Sequence, residues 1–278
     1  MVKPSDQFLR KKKLGERISM LTCYDYPTAL WQEEAGVDII FVGDSLGTNI
    51  LGYKSEKEVV LDDMAHHLKA VRRGVRNAYL LVDLPYLTYE TVEDAYNSAS
   101  RLVSLGADGV KIEGFRPEIV EYLSANKIEV CGHLGLNPQL HMKKTIKAKT
   151  AEKAAKLISE SMELQKAGAW GIVYELIPEE VGREATNRLS IPTIGIGAGR
   201  YTDGQVLVVS DLLGFNSLEL KHVCKYVDIH EKATNALRRF VSEVTSGKFP
   251  SEKNVRHLDG DQEESLKRLL IEEDYPVV

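Results

Sequence analysis

The chain has 278 residues, 43% hydrophobic and 28% charged, the composition of a globular protein with ample length for a core. A formal net charge of −5 excludes a general nucleic-acid binder, which would carry a basic excess, and no apolar run approaches the roughly 20 residues needed to span a bilayer. The first residues, MVKPSDQFLRKKKLGER, are basic but lack the apolar centre of a secretory signal, and Cys23, Cys131 and Cys224 form no CxxC pair, so reduced thiols in a cytoplasmic protein are expected.

Taken in order, apolar β-branched runs alternate with segments of helical period. Strands are predicted at 17–25, 38–44, 78–85, 108–114, 128–135, 171–178, 191–199 and 205–211. Helices are predicted at 26–36, 61–73, 91–106, 116–125, 151–167, 179–188 and 220–246, with too short a link for a helix between the last two strands. Val- and Ile-rich strands of this kind are buried on both faces, which implies a parallel α/β architecture. Eight strands fit a closed (βα)8 TIM-type barrel better than the competing doubly wound sheet. One barrel domain is expected over 1–250, followed by a polar acidic tail at 251–278.

The strand ends carry the chemistry. FVGDSLGTNI runs a hydrophobic strand into Asp44 and Ser45; LLVDLP ends in Asp83; GVKIEG carries Lys111 and Glu113; CGHLGL carries His133; YELIP carries Glu175. All strands of a parallel barrel point the same way, so these groups converge on one mouth, the place where barrel enzymes hold their active sites. Lys111 and Glu113 are two residues apart and share a strand face. A strand-terminal Asp also serves as a turn or helix cap, but four acids over five successive strands favour a shared site. Clustered carboxylates need counter-charge. Lys111 supplies one, and the oxygen-only set Asp44, Asp83 and Glu113 suits a hard ion such as Mg²⁺.

Three other features have plainer readings. Asp62 and His66 stand four apart, a possible ligand spacing, but read as an outer helix face. GIGAG at 195–199 lacks a phosphate-loop lysine and reads as a turn lining the pocket. Cys131 before Gly132 and His133 faintly echoes a lyase nucleophile, yet its place inside a strand favours packing.

These motifs, with TCYDYPTA, LGY, LDDM, VRRG, IGIGAG, DGQVLV and SGKFP, occur in order over most of the chain, which thereby resembles the ketopantoate hydroxymethyltransferase (3-methyl-2-oxobutanoate hydroxymethyltransferase) family. The resemblance implies a (βα)8 barrel of the phosphoenolpyruvate-mutase type and a homo-oligomer. It implies transfer of a one-carbon unit from methylenetetrahydrofolate, or a related pterin, to C3 of 3-methyl-2-oxobutanoate through a Mg²⁺-stabilised enolate, giving 2-dehydropantoate for pantothenate and coenzyme A. By motif, Asp44 and Asp83 match metal ligands in contact with the 2-oxo acid. Glu113 matches a metal-site acid acting through water, Ser45, Lys111 and His133 match substrate-binding groups, and Glu175 matches the catalytic base. A Mg²⁺-dependent 2-oxo-acid lyase or hydrolase, or a non-catalytic keto-acid-binding relative, stays open as an alternative. Two segments depart from the family pattern. Leu140 replaces a serine in NPQLHMKKTIKAKT (137–150), where Lys143, Lys144, Lys147 and Lys149 crowd the loop, and SEKEVV stands at 55–60. The lysines read either as a solvated loop or as an attractor for an anionic carrier tail.

Overall fold

Apolar side chains on both faces of each strand leave the chain one economical solution, a closed sheet wrapped in helices. The computed structural model describes residues 4–140, 145–215 and 223–272. Contacts divide the chain into two compact units, Met1–Val227 and Asp228–Val278.

The first unit opens with α1 (Asp6–Leu14) and then alternates β1 (Ile18–Thr22), α2 (Tyr26–Glu34), β2 (Ile39–Val42), α3 (Leu61–Gly74), β3 (Tyr79–Asp83), α4 (Val92–Ser104), β4 (Gly109–Glu113), α5 (Pro117–Ala125), β5 (Glu129–Gly135), α6 (Ala151–Lys166), β6 (Gly171–Glu175), α7 (Glu179–Arg188), β7 (Thr193–Ile196), β8 (Gly204–Leu207) and a single turn, α8 (Val209–Leu212). The eight strands pair in parallel and sequential order, and β8 closes on β1. The barrel expected from the sequence is therefore the one observed, and the doubly wound alternative is excluded.

Strand periodicity builds two apolar layers. In β2, Ile40 and Val42 face the helices while Ile39 and Phe41 face the lumen. The same alternation sends Leu80, Val82, Val110 and Ile112 outward and Tyr79, Leu81 and Cys131 inward. Helix starts are fixed locally: Asp25 caps α2 by accepting from the Thr28 amide at 2.8 Å, Thr91 caps α4, and Pro117 opens α5.

Helix α1 was not legible in the sequence. It closes the N-terminal end of the barrel, where its Phe8 packs against Tyr79 and Trp170 with ring centroids 5.5 and 5.3 Å away. The buried Glu129 ties this plug down: Ser5 Oγ donates to it at 2.5 Å and Tyr79 OH at 3.0 Å.

The second unit contains α9 (Ile229–Thr245) and α10 (Gln262–Glu272). The helix expected at 220–246 is thus observed from Ile229, and residues 216–222 lie outside the described ones. The second unit takes in the expected tail at 251–278, within which α10 lies.

Candidate active site

The site is assembled by strand register. Parallel pairing sets Asp83 beside Lys111, Glu113 beside His133, and Gly135 beside Glu175. Together with Asp44 and Ser45 these side chains line one cavity of about 90 Å³ at the C-terminal mouth. The opposite wall is apolar, made by Met20, Phe41, Val173, Ile196 and Val206. Every site residue expected from the sequence is therefore brought to one place.

Local turns aim the groups. After β2, Gly43 leaves room where a Cβ would stand 3.0 Å from both the Phe41 ring and Ser45 Oγ. The chain then turns helically, with the Gly47 amide donating to the Asp44 carbonyl, and Asp44's own amide donates to Asp83 Oδ2 at 3.0 Å. Ser45 Oγ lies 2.8 Å from Tyr24 OH. After β6, Leu176 takes a left-handed φ of 46°, rare for a side chain of its size. Its amide donates to the Ile196 carbonyl, and its carbonyl accepts from the Lys147 amide. These bonds hold the turn that sets Glu175, whose side chain is 17% exposed while those of Asp83, Lys111, Glu113 and His133 are nearly sealed.

Lys111 Nζ lies 2.7 Å from Asp83 Oδ1 and 3.8 Å from Glu113 Oε1. His133 Nδ1 lies 3.1 Å from Glu113 and Nε2 lies 3.4 Å from Glu175. Nδ1 is also 3.2 Å from Lys111 Nζ, and it cannot donate to Glu113 and accept from lysine together. The imidazolium form resolves this: Nδ1–H donates to Glu113, while the buried Nε2 stands near Glu175 without a hydrogen bond to it. Burial and Lys111 oppose that charge, but Glu113 and Glu175 outweigh them and push the imidazole up to about 9. Burial likewise opposes ionisation of Glu113, yet His133 and Lys111 hold it below the usual carboxylate range. Burial opposes the charge on Lys111 too, but Asp83, Glu113 and Asp44 keep it protonated.

Asp44 and Asp83 behave differently. Burial and the neighbouring acids push both carboxyls up, Asp44 furthest, despite Lys111. Asp44, Asp83, Glu113 and Glu175 face two cations, a deficit that one divalent ion would neutralise. The donor set fits a hard ion held by Asp44 and Asp83, since Mg²⁺ takes one or two carboxylates and fills its other positions with water and substrate oxygens. Among the described residues no three His, Cys, Asp or Glu side chains are grouped to hold a metal ion directly. Glu113, expected to act through water, lines the same cavity with its oxygens engaged by His133 at 3.1 Å and by the Gln139 amide at 3.1 Å.

Gln139 is the residue that sequence reasoning missed. It is fully buried; its Nε2 donates to Asp44 Oδ2 at 2.7 Å and to the Leu84 carbonyl at 3.0 Å, and its Oε1 accepts from Tyr89 OH. Its neutral side chain carried no charge pattern, and its only signal was its place in the loop after β5. Other features resolve more simply. Asp62 pairs with Arg101 at 2.5 Å, which takes up the acid of the Asp62 and His66 spacing and leaves α3 a helix face there, as expected. Cys131 is fully buried in the lumen layer, where burial pushes its thiol up to about 12, in keeping with a packing role. Glu56, from the departing segment 55–60, borders the mouth. Of the loop lysines, Lys143 and Lys144 lie outside the described residues.

Solved structures share this fold at low identity. A phosphonopyruvate hydrolase aligns with a TM-score of 0.59 at 12% identity, covering 99% of both chains. A 2,3-dimethylmalate lyase of the phosphoenolpyruvate mutase/isocitrate lyase superfamily aligns at 0.58 and 12%, covering 98% of this chain and all of that one. Sequence relatives are much nearer. A 3-methyl-2-oxobutanoate hydroxymethyltransferase of Acetivibrio thermocellus is 45% identical over 260 residues, 91% of this chain and 92% of its own. One of Deinococcus radiodurans is 46% identical over 249 residues, 86% of this chain and 88% of its own. The family profile described as ketopantoate hydroxymethyltransferase matches residues 4–252, a span that takes in every strand of the barrel and every group at its mouth, and the chain belongs to that family.

Proposed function

We propose that this protein transfers a hydroxymethyl unit from methylenetetrahydrofolate, or a related reduced pterin, to C3 of 3-methyl-2-oxobutanoate, giving 2-dehydropantoate, with Mg²⁺ held by Asp44 and Asp83. The observation that carries the reading is the mouth itself, where a sealed acid–cation cluster faces an apolar wall and one half-buried carboxylate, Glu175, stands at its edge. The names of the near relatives support the same substrate and reaction.

The substrate has matching parts. Its carboxylate and keto oxygens suit the cationic side, where Lys111 offsets charge and Ser45 offers a hydroxyl. Its isopropyl end suits Val173, Ile196 and Val206. Bound Mg²⁺ would supply Lewis-acid polarisation of the 2-oxo group. Glu175 removes the C3 proton, and the carbon forms its new bond to the methylene carbon of the carrier. Both bonds from that carbon to the carrier nitrogens break in the transfer; one water supplies the product hydroxyl, and the C3 proton and the second proton of the water go to the two nitrogens, so the reduced carrier leaves with both protonated. His133, cationic and bridging Glu113 to Glu175, orients the base. The reading extends to a cytoplasmic homo-oligomer; no helix among the described residues is long and apolar enough to cross a membrane.

The test is exchange of the C3 proton of 3-methyl-2-oxobutanoate in D₂O, followed by NMR, with protein and Mg²⁺ and no carrier. Metal-dependent exchange that Glu175→Gln abolishes is the expected result. Exchange that persists in the variant would remove Glu175 as the base. Cleavage of the 2-oxo acid in place of exchange would favour a lyase.

A further inference from the structure

A second cavity, of about 390 Å³, opens on the same end of the barrel between α5 and α6. Four cationic side chains line it, Arg116, Lys147, Lys153 and Lys156, against one acid, Glu160. Glu160 is taken up by Lys156 at 3.7 Å. The other three cations have no carboxylate partner within 4.0 Å among the described residues. They come from three separate places, the start of α5, the loop after β5 and the first turn of α6. Two of them, Arg116 and Lys147, are half-buried. Beneath them the floor is apolar and buried, formed by Leu134, Ala148 and Leu157. A cationic rim over an apolar floor selects a ligand with a flat apolar segment followed by carboxylates.

This cavity shares a wall with the catalytic mouth. Asn137 and Leu140 face the basic cavity, Pro138 faces the mouth, and Gln139 between them is bonded to Glu113 and Asp44. Arg116 follows Glu113 by three residues, and the Lys147 amide is bonded to the Leu176 carbonyl, next to Glu175. A ligand whose reactive head lies at the mouth therefore needs to cross only one turn of chain to set its tail among the cations.

We propose that the basic cavity between α5 and α6 receives the arylamide and glutamyl carboxylates that form the tail of the one-carbon carrier. This rests on the transferase reading given above, which requires a carrier with such a tail. Binding energy taken at the tail, far from the reacting carbon, holds the carrier without changing the chemistry at C3. Leu140 and Lys147, from the stretch that departs from the family pattern, then belong to carrier recognition, while the acid cluster stays unaltered.

The test compares carriers bearing one and three γ-linked glutamates, at saturating 2-oxo acid, in the wild type and in the Arg116→Gln/Lys147→Gln variant. In the wild type the longer tail should lower the carrier KM about five- to tenfold, and the variant should lose that advantage. Carrier-free C3 exchange reports that the mouth of the variant is intact. An advantage that survives in the variant, or is missing from the wild type while transfer proceeds, would overturn the proposal. Absence of transfer and of exchange in the wild type would instead defeat the transferase reading. The cavity is then judged alone by calorimetry with p-aminobenzoyl-tri-γ-glutamate. Binding that the two substitutions weaken supports the site, and no binding refutes it. Displacement of that fragment by an equal concentration of inorganic phosphate would show a plain anion site and also overturn the tail.

Discussion

Replacing Gln139 by Met keeps the length of the side chain and removes its amide. Three interactions end: the donation to Asp44 at 2.7 Å, the donation to the Leu84 carbonyl at 3.0 Å, and the acceptance from Tyr89 OH. The backbone bond from residue 139 to Glu113 remains. A buried hydrogen bond to a carboxylate contributes about 1.5–3 kcal/mol, and a buried carbonyl left without a donor costs about 1–3 kcal/mol. Tyr89 OH keeps a contact with the Glu113 amide, so its loss is partial. Allowing for overlap and relaxation, the variant should be less stable by about 3–4 kcal/mol, on the order of 6–15 °C in Tm for a chain near this size. Asp44 also loses a bond that favours its ionised form, so its carboxyl should be harder to ionise and freer to turn. Groups that orient a metal ligand are typically worth 10–100-fold in metal affinity, so the Mg²⁺ concentration giving half-maximal C3 exchange should rise by about that factor. Calorimetry and the NMR exchange assay read the two effects separately. A Tm within 2 °C of wild type (about 1 kcal/mol or less), together with an unchanged Mg²⁺ requirement, would refute the assignment of Gln139 as the residue that positions Asp44.

Gly135→Ala should cost more than about 3 kcal/mol and suppress exchange, because φ is +101° and the new Cβ would meet the Glu175 carbonyl oxygen at 2.3 Å; Gly15→Ala, also at positive φ but with nothing within 4 Å, should cost only about 1 kcal/mol. Equal losses from thermal unfolding of the two variants would contradict the clash. In metal-free protein the His133 ring should titrate by NMR near 9, against about 6.5 for a free imidazole. Because the folded value is the higher one, this stabilisation is complete below about pH 6.5 and is lost as pH rises through about 9, up to about 3 kcal/mol in all. Glu113→Gln should bring the midpoint down, and an unmoved midpoint would sever the pair. Glu129→Leu leaves Tyr79 OH and Ser5 without their acceptor, so stability should fall by about 2–3 kcal/mol and amide exchange in α1 should quicken, with C3 exchange unaltered; an α1 as protected as in the wild type would refute the anchoring role.

The barrel was legible because its strands leave little choice. Ile39, Ile40, Phe41 and Val42 are apolar on both faces, and only a helix-covered parallel sheet buries both. Lys111 and Glu113 were legible as a pair because strand alternation is rigid, and the parallel direction then carried Asp44, Asp83, His133 and Glu175 to the same rim. Other parts depend on contacts that no local pattern encodes. Helix α1 buries one side chain, Phe8, so DQFLRKKKL shows no apolar stripe; its anchor Glu129 is 124 residues from Ser5. Gln139 meets Asp44 across 95 residues, and neither neighbour in sequence hints at it. The last helix was expected from 220 because a barrel strand is usually followed by one; β8 is followed instead by the short turn of α8, and the long helix α9 belongs to the second unit.

The three acids that looked alike in sequence are separated by their partners, and this bears on where an ion can sit. Glu113 has His133 beside one oxygen and the Gln139 amide on the other, and its carboxyl is held down. Asp83 has Lys111 at 2.7 Å. Among the described residues the Asp44 carboxylate has one hydrogen-bond donor, the neutral amide of Gln139, and its carboxyl is pushed up the furthest by burial and the neighbouring acids. The carboxylate least offset by a cation in contact is therefore Asp44, since Asp83 has Lys111 on one oxygen and the Asp44 amide on the other. A third carboxylate ligand would add charge where none is needed and occupy a position that a 2-oxo acid requires for its own oxygens. By holding Glu113 against His133, the fold keeps that acid as a brace between the Asp44 and Asp83 end of the mouth and the imidazole that stands 3.4 Å from Glu175.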